Sequence, residues 1–190
     1  MSKKVKILVV GPCKGGKTLL SNILSHNNHN TNHITTTTTY KPTKLSRILW
    51  FEVNGVPIED NQRSTDVVVE LWDCSGDRKF EVCWPSMLQN TDGIIFVYDP
   101  RVQNQLSELH YFYENFARRD FGISDRHCVV FALQRTGNSV GGLVPKFLNN
   151  VSVFRANLDD DGYALRNRFK RFLAVVVLEA KSGRNSMLTN

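Results

Sequence analysis

Apolar residues fall into short unbroken runs alternating with stretches of helical spacing. Val5 to Val10 is nearly all Val, Ile and Leu, as expected of a strand covered on both faces. Leu19, Leu20, Ile23 and Leu24 then repeat at helical spacing, predicting a helix from Lys17 to Ser25. The stretch from Asn27 to Thr43, with threonine at every position from Thr35 to Thr39, reads as a polar connection. Leu45 to Val53 and Val67 to Trp72 predict two further strands, joined by a long hairpin connection from Asn54 to Asp66 that opens on Asn-Gly. Gly93 to Tyr98 is another buried strand. A helix follows from Leu106 to Arg119, with Leu106, Leu109, Phe112, Tyr113 and Phe116 as its packed stripe. Cys128 to Leu133 and Val151 to Phe154 complete the strands, and Gln134 to Asn150 leaves room for only a short helix near Pro145 to Leu148. From Gly162 to Lys181, Leu165, Phe169, Phe172, Leu173, Val176 and Val177 share one helical face, with Arg166, Arg168, Lys170 and Arg171 off it. This order predicts an α/β fold, a mostly parallel six-stranded sheet flanked by helices, with a shortened helix between the fifth and sixth strands.

Composition narrows the picture only slightly. A chain of 190 residues with 41% apolar content fits one domain over 1–190, with a core at about 4–181 and a short flexible C-terminal tail. The formal charge of +6 suits an anionic ligand, nucleic acid, a membrane face or an acidic protein, and alone selects none of them. No basic strand with interleaved aromatics and no reader motif is present, so nucleic acid is not an expected partner. Cys13, Cys74, Cys83 and Cys128 are scattered with no Cys-x-x-Cys pair, which fits a reducing compartment. No secretory pattern and no membrane-length apolar run is seen. Ser2 stands where myristoylation needs a glycine, and the chain ends Ser-Met-Leu-Thr-Asn without a prenylation box; no direct membrane anchor is expected. His26, His29 and His33 offer imidazoles without a nearby cysteine or carboxylate, and read more simply as a solvated loop than as a metal site.

The chemistry sits in three short motifs. Gly11-Pro12-Cys13-Lys14-Gly15-Gly16-Lys17-Thr18 satisfies G-x-x-x-x-G-K-[ST] between a buried strand and a helix. Glycines there let backbone N–H groups wrap a phosphate, the helix start adds its positive dipole end, Lys17 bridges the β- and γ-phosphates, and the Thr18 hydroxyl ligates Mg²⁺. In the second motif, Asp73-Cys74-Ser75-Gly76, a strand-end carboxylate holds a water of the Mg²⁺ shell and the Gly76 N–H meets the γ-phosphate. The third is Tyr40-Lys41-Pro42-Thr43, where a threonine closing the polar loop is placed to reach Mg²⁺; alone it would read equally as a proline turn.

These motifs, in this order, resemble the Ras/Rab superfamily of small GTPases over about residues 4 to 180. Closer still, residues 10 to 18, Glu70 to Pro85 and Asn157-Leu158-Asp159-Asp160 resemble the family of the Rab-like subunit of intraflagellar transport complex B. The resemblance implies GTP or GDP with Mg²⁺ as cofactors, and the coiled-coil subunits of the complex B core as partners. It implies work in cilium or flagellum assembly, with localisation to cilium, flagellum, basal body and cytoplasm. By the same resemblance Gly11, Cys13, Lys14, Gly15, Gly16, Lys17, Thr18 and Leu19 hold phosphate, Thr18, Thr43 and Asp73 (through water) serve the metal, and Gly76 belongs to switch II.

Departures from the superfamily pattern weaken the catalytic side. Asp77 stands where a glutamine usually orients the attacking water, and a carboxylate facing a γ-phosphate predicts slow hydrolysis. Cys13 replaces a common glycine and crowds the space of the water. Arg78 is a candidate cation in cis, read more simply as an exposed switch arginine. The usual Asn-Lys-x-Asp is replaced by Gln134-Arg135-Thr136-Gly137, so the acid that accepts from the guanine edge is missing. Base contacts then fall to Gln134, Arg135, Ala156, Asn157 and Leu158, with the Asn157 N–H placed for guanine O6. The expectation is an atypical nucleotide-binding docking subunit; the alternative is an actively cycling GTPase switch. Trp84 is open between a docking residue and a core aromatic beneath switch II.

Overall fold

The computed structural model describes residues 2–26, 41–58, 63–118, 123–134, 145–157 and 162–185, with side chains of the last segment to Leu178. Strands β1 (Lys3–Val10), β2 (Ser46–Ile58), β3 (Arg63–Cys74), β4 (Gly93–Tyr98), β5 (Cys128–Gln134) and β6 (Ser152–Asn157) form one sheet in the order β2-β3-β1-β4-β5-β6. Only β2 runs antiparallel, against β3; the other pairs are parallel. The helices are α1 (Lys17–Ser25), α2 (Trp84–Leu88), α3 (Gln105–Tyr113) and α4 (Gly162–Asn185).

Alternate residues of the central strands feed two cores. Val5, Ile7 and Val9 pack with Leu20 and Ile23 of α1 and with Phe169, Leu173 and Val177 of α4. Leu8 and Val10 pack on the opposite face with Trp84, Leu88, Leu109, Phe112 and Phe116. Continuous apolar strands are what a sheet covered on both faces requires. The nucleotide motifs therefore emerge at the carboxyl ends of β1 and β3, between these two layers, where open α/β sheets bind ligands.

Two expectations are corrected, and the open reading of Trp84 is decided. The 54–66 segment is no loose connection: Val56, Pro57 and Ile58 pair with Thr65, Ser64 and Arg63 beyond a bulge between Val53 and Val56. Gly55, at φ 63°, supplies the left-handed residue of that bulge, so Asn-Gly kinks the strand instead of turning it. Leu106 is no part of the packed stripe of α3 and is 42% exposed. Gln105 takes the inward position at the start of that helix, and a π-turn at Glu114–Arg118 carries Phe116 and Ala117 into the core. Trp84 is a core aromatic, 5% exposed, with ring centroids of Phe116 at 4.8 Å and Phe112 at 5.3 Å. Between β5 and β6 the described residues hold a single 3-10 turn, Lys146–Leu148, the expected shortened element.

Candidate functional site: a phosphate cradle and its two switches

The loop after β1 is shaped by close approach of backbone to backbone. Gly11 has φ 137°, and a Cβ there would collide with the Val97 carbonyl of β4. A Cβ on Gly15 would lie 2.9 Å from the same oxygen, so both glycines are required by packing as well as by ligand access. Gly16, at φ 96°, turns the chain into α1. Lys14 also adopts a left-handed conformation, at φ 62°, and Cys13 is exposed. Leu19 packs its side chain on the core, leaving only its main chain to face a phosphate.

Lys17 is 6% exposed and folds over the loop, donating to the Gly11 carbonyl at 2.9 Å and the Pro12 carbonyl at 2.7 Å. Burial lowers its pKa. An ammonium held by two carbonyls above a ring of glycines is placed to exchange those acceptors for phosphate oxygens.

The metal side of the cradle converges from three elements. The Thr18 hydroxyl on α1 meets the Thr43 hydroxyl at 3.1 Å. Asp73, at the end of β3, is fully buried, and neither carboxylate oxygen takes a hydrogen bond. Burial raises its pKa. Two hydroxyls and a buried carboxylate without a hydrogen bond, faced by the Arg47 charge at 3.5 Å, form a hard oxygen donor set of the kind Mg²⁺ takes, so the residues present fit that ion. The neighbouring Cys74 thiol is pushed up to about 12 by burial, which keeps it a protonated packing group.

Switch II begins at Gly76, where a Cβ would meet the Cys13 nitrogen at 2.5 Å and the Gly11 oxygen at 2.7 Å. The glycine is thus pressed against the phosphate loop. The next residues turn away. Asp77 caps a 3-10 helix over Arg78–Cys83 by accepting from the Lys79 N–H at 3.1 Å, and its carboxylate pairs with Lys79 Nζ at 2.7 Å. Those contacts to Lys79 hold its carboxyl below the usual range. The Arg78 guanidinium stacks on Tyr111 of α3 at 3.8 Å from the ring centroid, and the Tyr111 hydroxyl donates to Glu81 at 2.9 Å.

At the opposite end of the site, Gln134 and Asn157 are register partners at the ends of β5 and β6, beside Ala156. Arg135 and Leu158, expected among the base contacts, lie outside the described residues, as do His29 and His33 of the polar loop.

Two residues at the site escaped the sequence reading. Gln105 is 4% exposed; its amide donates to the Cys13 carbonyl at 3.0 Å while its oxygen accepts from the Asp99 N–H at 2.7 Å, tying the cradle to the loop after β4. Arg47 on β2 lies 3.5 Å from the Asp73 carboxylate. The signal for Gln105 was its place one helical turn before Leu109, in phase with the packed stripe; Arg47 had none without the strand register.

This cradle, with the strand order around it, defines a P-loop small GTPase. Residues 6–134 match the family model described as Roc, the Ras of Complex domain of DAPkinase. Over 188 residues the chain is 34% identical to the intraflagellar transport protein 22 homolog of Rattus norvegicus, covering 96% of this chain and 95% of the relative. Its fold matches the GTP-bound T. brucei IFT22/74/81 crystal structure with TM-score 0.73 and 30% identity, over 96% of this chain and 99% of that one. GDP-bound T. brucei IFT22 also matches, with TM-score 0.65 and 27% identity over 93% and 97% of the two chains. The chain belongs to the intraflagellar transport protein 22 family, the Rab-like 5 branch of the small GTPases.

Proposed function

We propose that this chain is an atypical guanine-nucleotide-binding subunit of intraflagellar transport complex B, whose bound nucleotide shapes a docking surface and is only slowly hydrolysed. The observation carrying this reading is the contrast within the site. Lys17, Thr18, Thr43 and Asp73 converge on one phosphate and metal position, while Asp77 is tied to Lys79 and Arg78 to Tyr111. Lys17 and the loop N–H groups would hold the phosphates; Thr18 and Thr43 would ligate Mg²⁺, with Asp73 acting through water. The ion, when bound, supplies charge neutralisation between β- and γ-phosphates.

GTP- and GDP-bound structures of the T. brucei relative support the guanine reading, and its complex with IFT74 and IFT81 supports a partner of that kind, read as the coiled-coil core pair of complex B. Leu45, Ile48 and Trp50 are exposed on or next to β2, and Val82 in switch II is 83% exposed, so apolar surface flanks both switches. Large exposed apolar groups beside a switch suit a protein partner. Recruitment by protein contacts would bring the protein to the cilium or flagellum, with basal body and cytoplasm as its route, and would let it support cilium assembly.

Titration calorimetry with GTP, GDP and ATP, followed by single-turnover phosphate release with and without the partner pair, tests the proposal. Guanine nucleotides should bind at least about tenfold more tightly than ATP, with release near background. Equal ATP affinity would remove the guanine claim, and fast release would turn the reading to a cycling switch. Lys17→Ala, which removes the ammonium that would grip the phosphates, should abolish partner capture if the bound nucleotide shapes the docking surface.

A further inference from the structure

Arg47 brings a positive charge to the position where small GTPases rely on a metal ion. Its place is set by the antiparallel register of β2 and β3, in which Arg47 is the direct partner of Asp73. The guanidinium lies 3.5 Å from the Asp73 carboxylate and donates to the Asn22 side-chain oxygen at 2.7 Å. Asn22 follows Thr18 by one helical turn on α1, so it faces the same way as the threonine hydroxyl. Arg47, Asn22, Thr18 and Asp73 therefore border one small volume, with Thr43 closing it through its contact to Thr18. The Arg47 side chain is 41% exposed, while its Nε is buried without a hydrogen bond, so the guanidinium reaches in to the fully buried Asp73 from the surface end of the pocket.

A buried carboxylate strongly favours whichever cation neutralises it. Here one is built into the chain. With Arg47 beside it, the Asp73–Arg47 pair is neutral overall, and a dication entering beside Thr18 meets both a weaker attraction and a like charge. On the guanine-nucleotide reading above, on which this step rests, we infer that Arg47 acts as a resident counter-charge at the magnesium position, so that the chain retains nucleotide with little dependence on Mg²⁺. Arg47 is a positioning residue in this role: it holds Asp73 and the local field, and need not touch the phosphates.

The test measures affinity for a fluorescent GDP analogue in excess Mg²⁺ and in excess EDTA. For the unaltered protein the two affinities should agree within about threefold. Arg47→Ala should leave Asp73 needing the metal and widen the ratio by at least about tenfold. Arg47→Lys, which keeps the charge without the planar fork, should restore most of the small ratio and guards against misfolding as the cause. Adding Asp73→Asn to Arg47→Ala should collapse the widened ratio if the effect passes through that carboxylate. Equal ratios for the unaltered protein and Arg47→Ala would overturn the inference while leaving nucleotide binding intact. Absence of GDP binding by the unaltered protein in both buffers would overturn the guanine reading itself.

Discussion

The phosphate cradle and switch II touch at Gly76, yet they are held by different physics. The cradle is shaped by main chain against main chain, with Gly11 and Gly15 pressed on the Val97 carbonyl and Gly76 on the loop itself, and the Gln105 and Lys17 side chains tie down its carbonyls. Switch II beyond Asp77 is fixed by side chains against α3, through Arg78 and Glu81 on Tyr111 and through Trp84 among Phe112 and Phe116. Main-chain packing of this kind admits no side-chain change, whereas side-chain stacking can be exchanged for another contact of similar energy. The grip on phosphate is thus built into the backbone, and the segment that would carry catalysis or a partner rests on replaceable contacts. On the proposed reading, a subunit that kept its nucleotide while its partner surface varied would need that division.

The most severe way to break the comparison is Gly11→Ala. The new methyl collides with the Val97 carbonyl, at a φ that L residues avoid. Strain and overpacking together should cost about 4 kcal/mol in chemical denaturation and abolish nucleotide binding by calorimetry. A variant that folds and binds normally would show that the cradle is not held by that approach.

Trp84→Ala should come next, at about 3 kcal/mol of stability, because it empties an aromatic cluster of buried rings. If the two regions are separately held, GDP affinity in the folded protein should change by less than about twofold. A large loss of affinity at preserved folding would mean that α3 and switch II support the cradle directly. The same residue shows where sequence reading stops. The cradle motif was legible because its residues are contiguous and lie between a buried strand and a helix. The fold followed from the strands' apolar runs. Trp84 stayed ambiguous because a switch aromatic and a core aromatic have the same local pattern, and only its three-dimensional neighbours separate them. Gln105 reaches a carbonyl 92 positions away in the chain, and Arg47 acts across a strand pairing whose register no local pattern sets. The β2–β3 hairpin was misjudged because Asn-Gly serves a turn or a bulge equally well, and pairing beyond it decided for the bulge.

Tyr111→Phe gives the smallest effect and the sharpest comparison. It removes the hydroxyl that donates to Glu81 while keeping the ring beneath Arg78. Loss of one hydrogen bond to a charged, partly exposed acceptor should cost about 1 kcal/mol or less in denaturation. Hydrogen exchange at residues 78–83 should quicken, since that 3-10 helix loses a tie to Tyr111, and exchange at residues 11–18 should stay as it was. Removing the ring as well, with Tyr111→Ala, should free Arg78 and loosen the segment further. If phosphate release then rises in a single-turnover assay, Tyr111 is holding Arg78 away from the phosphate. If release stays at background while exchange quickens, the proposed slow hydrolysis lies with Asp77 or Cys13, and the stacking serves to present switch II to a partner.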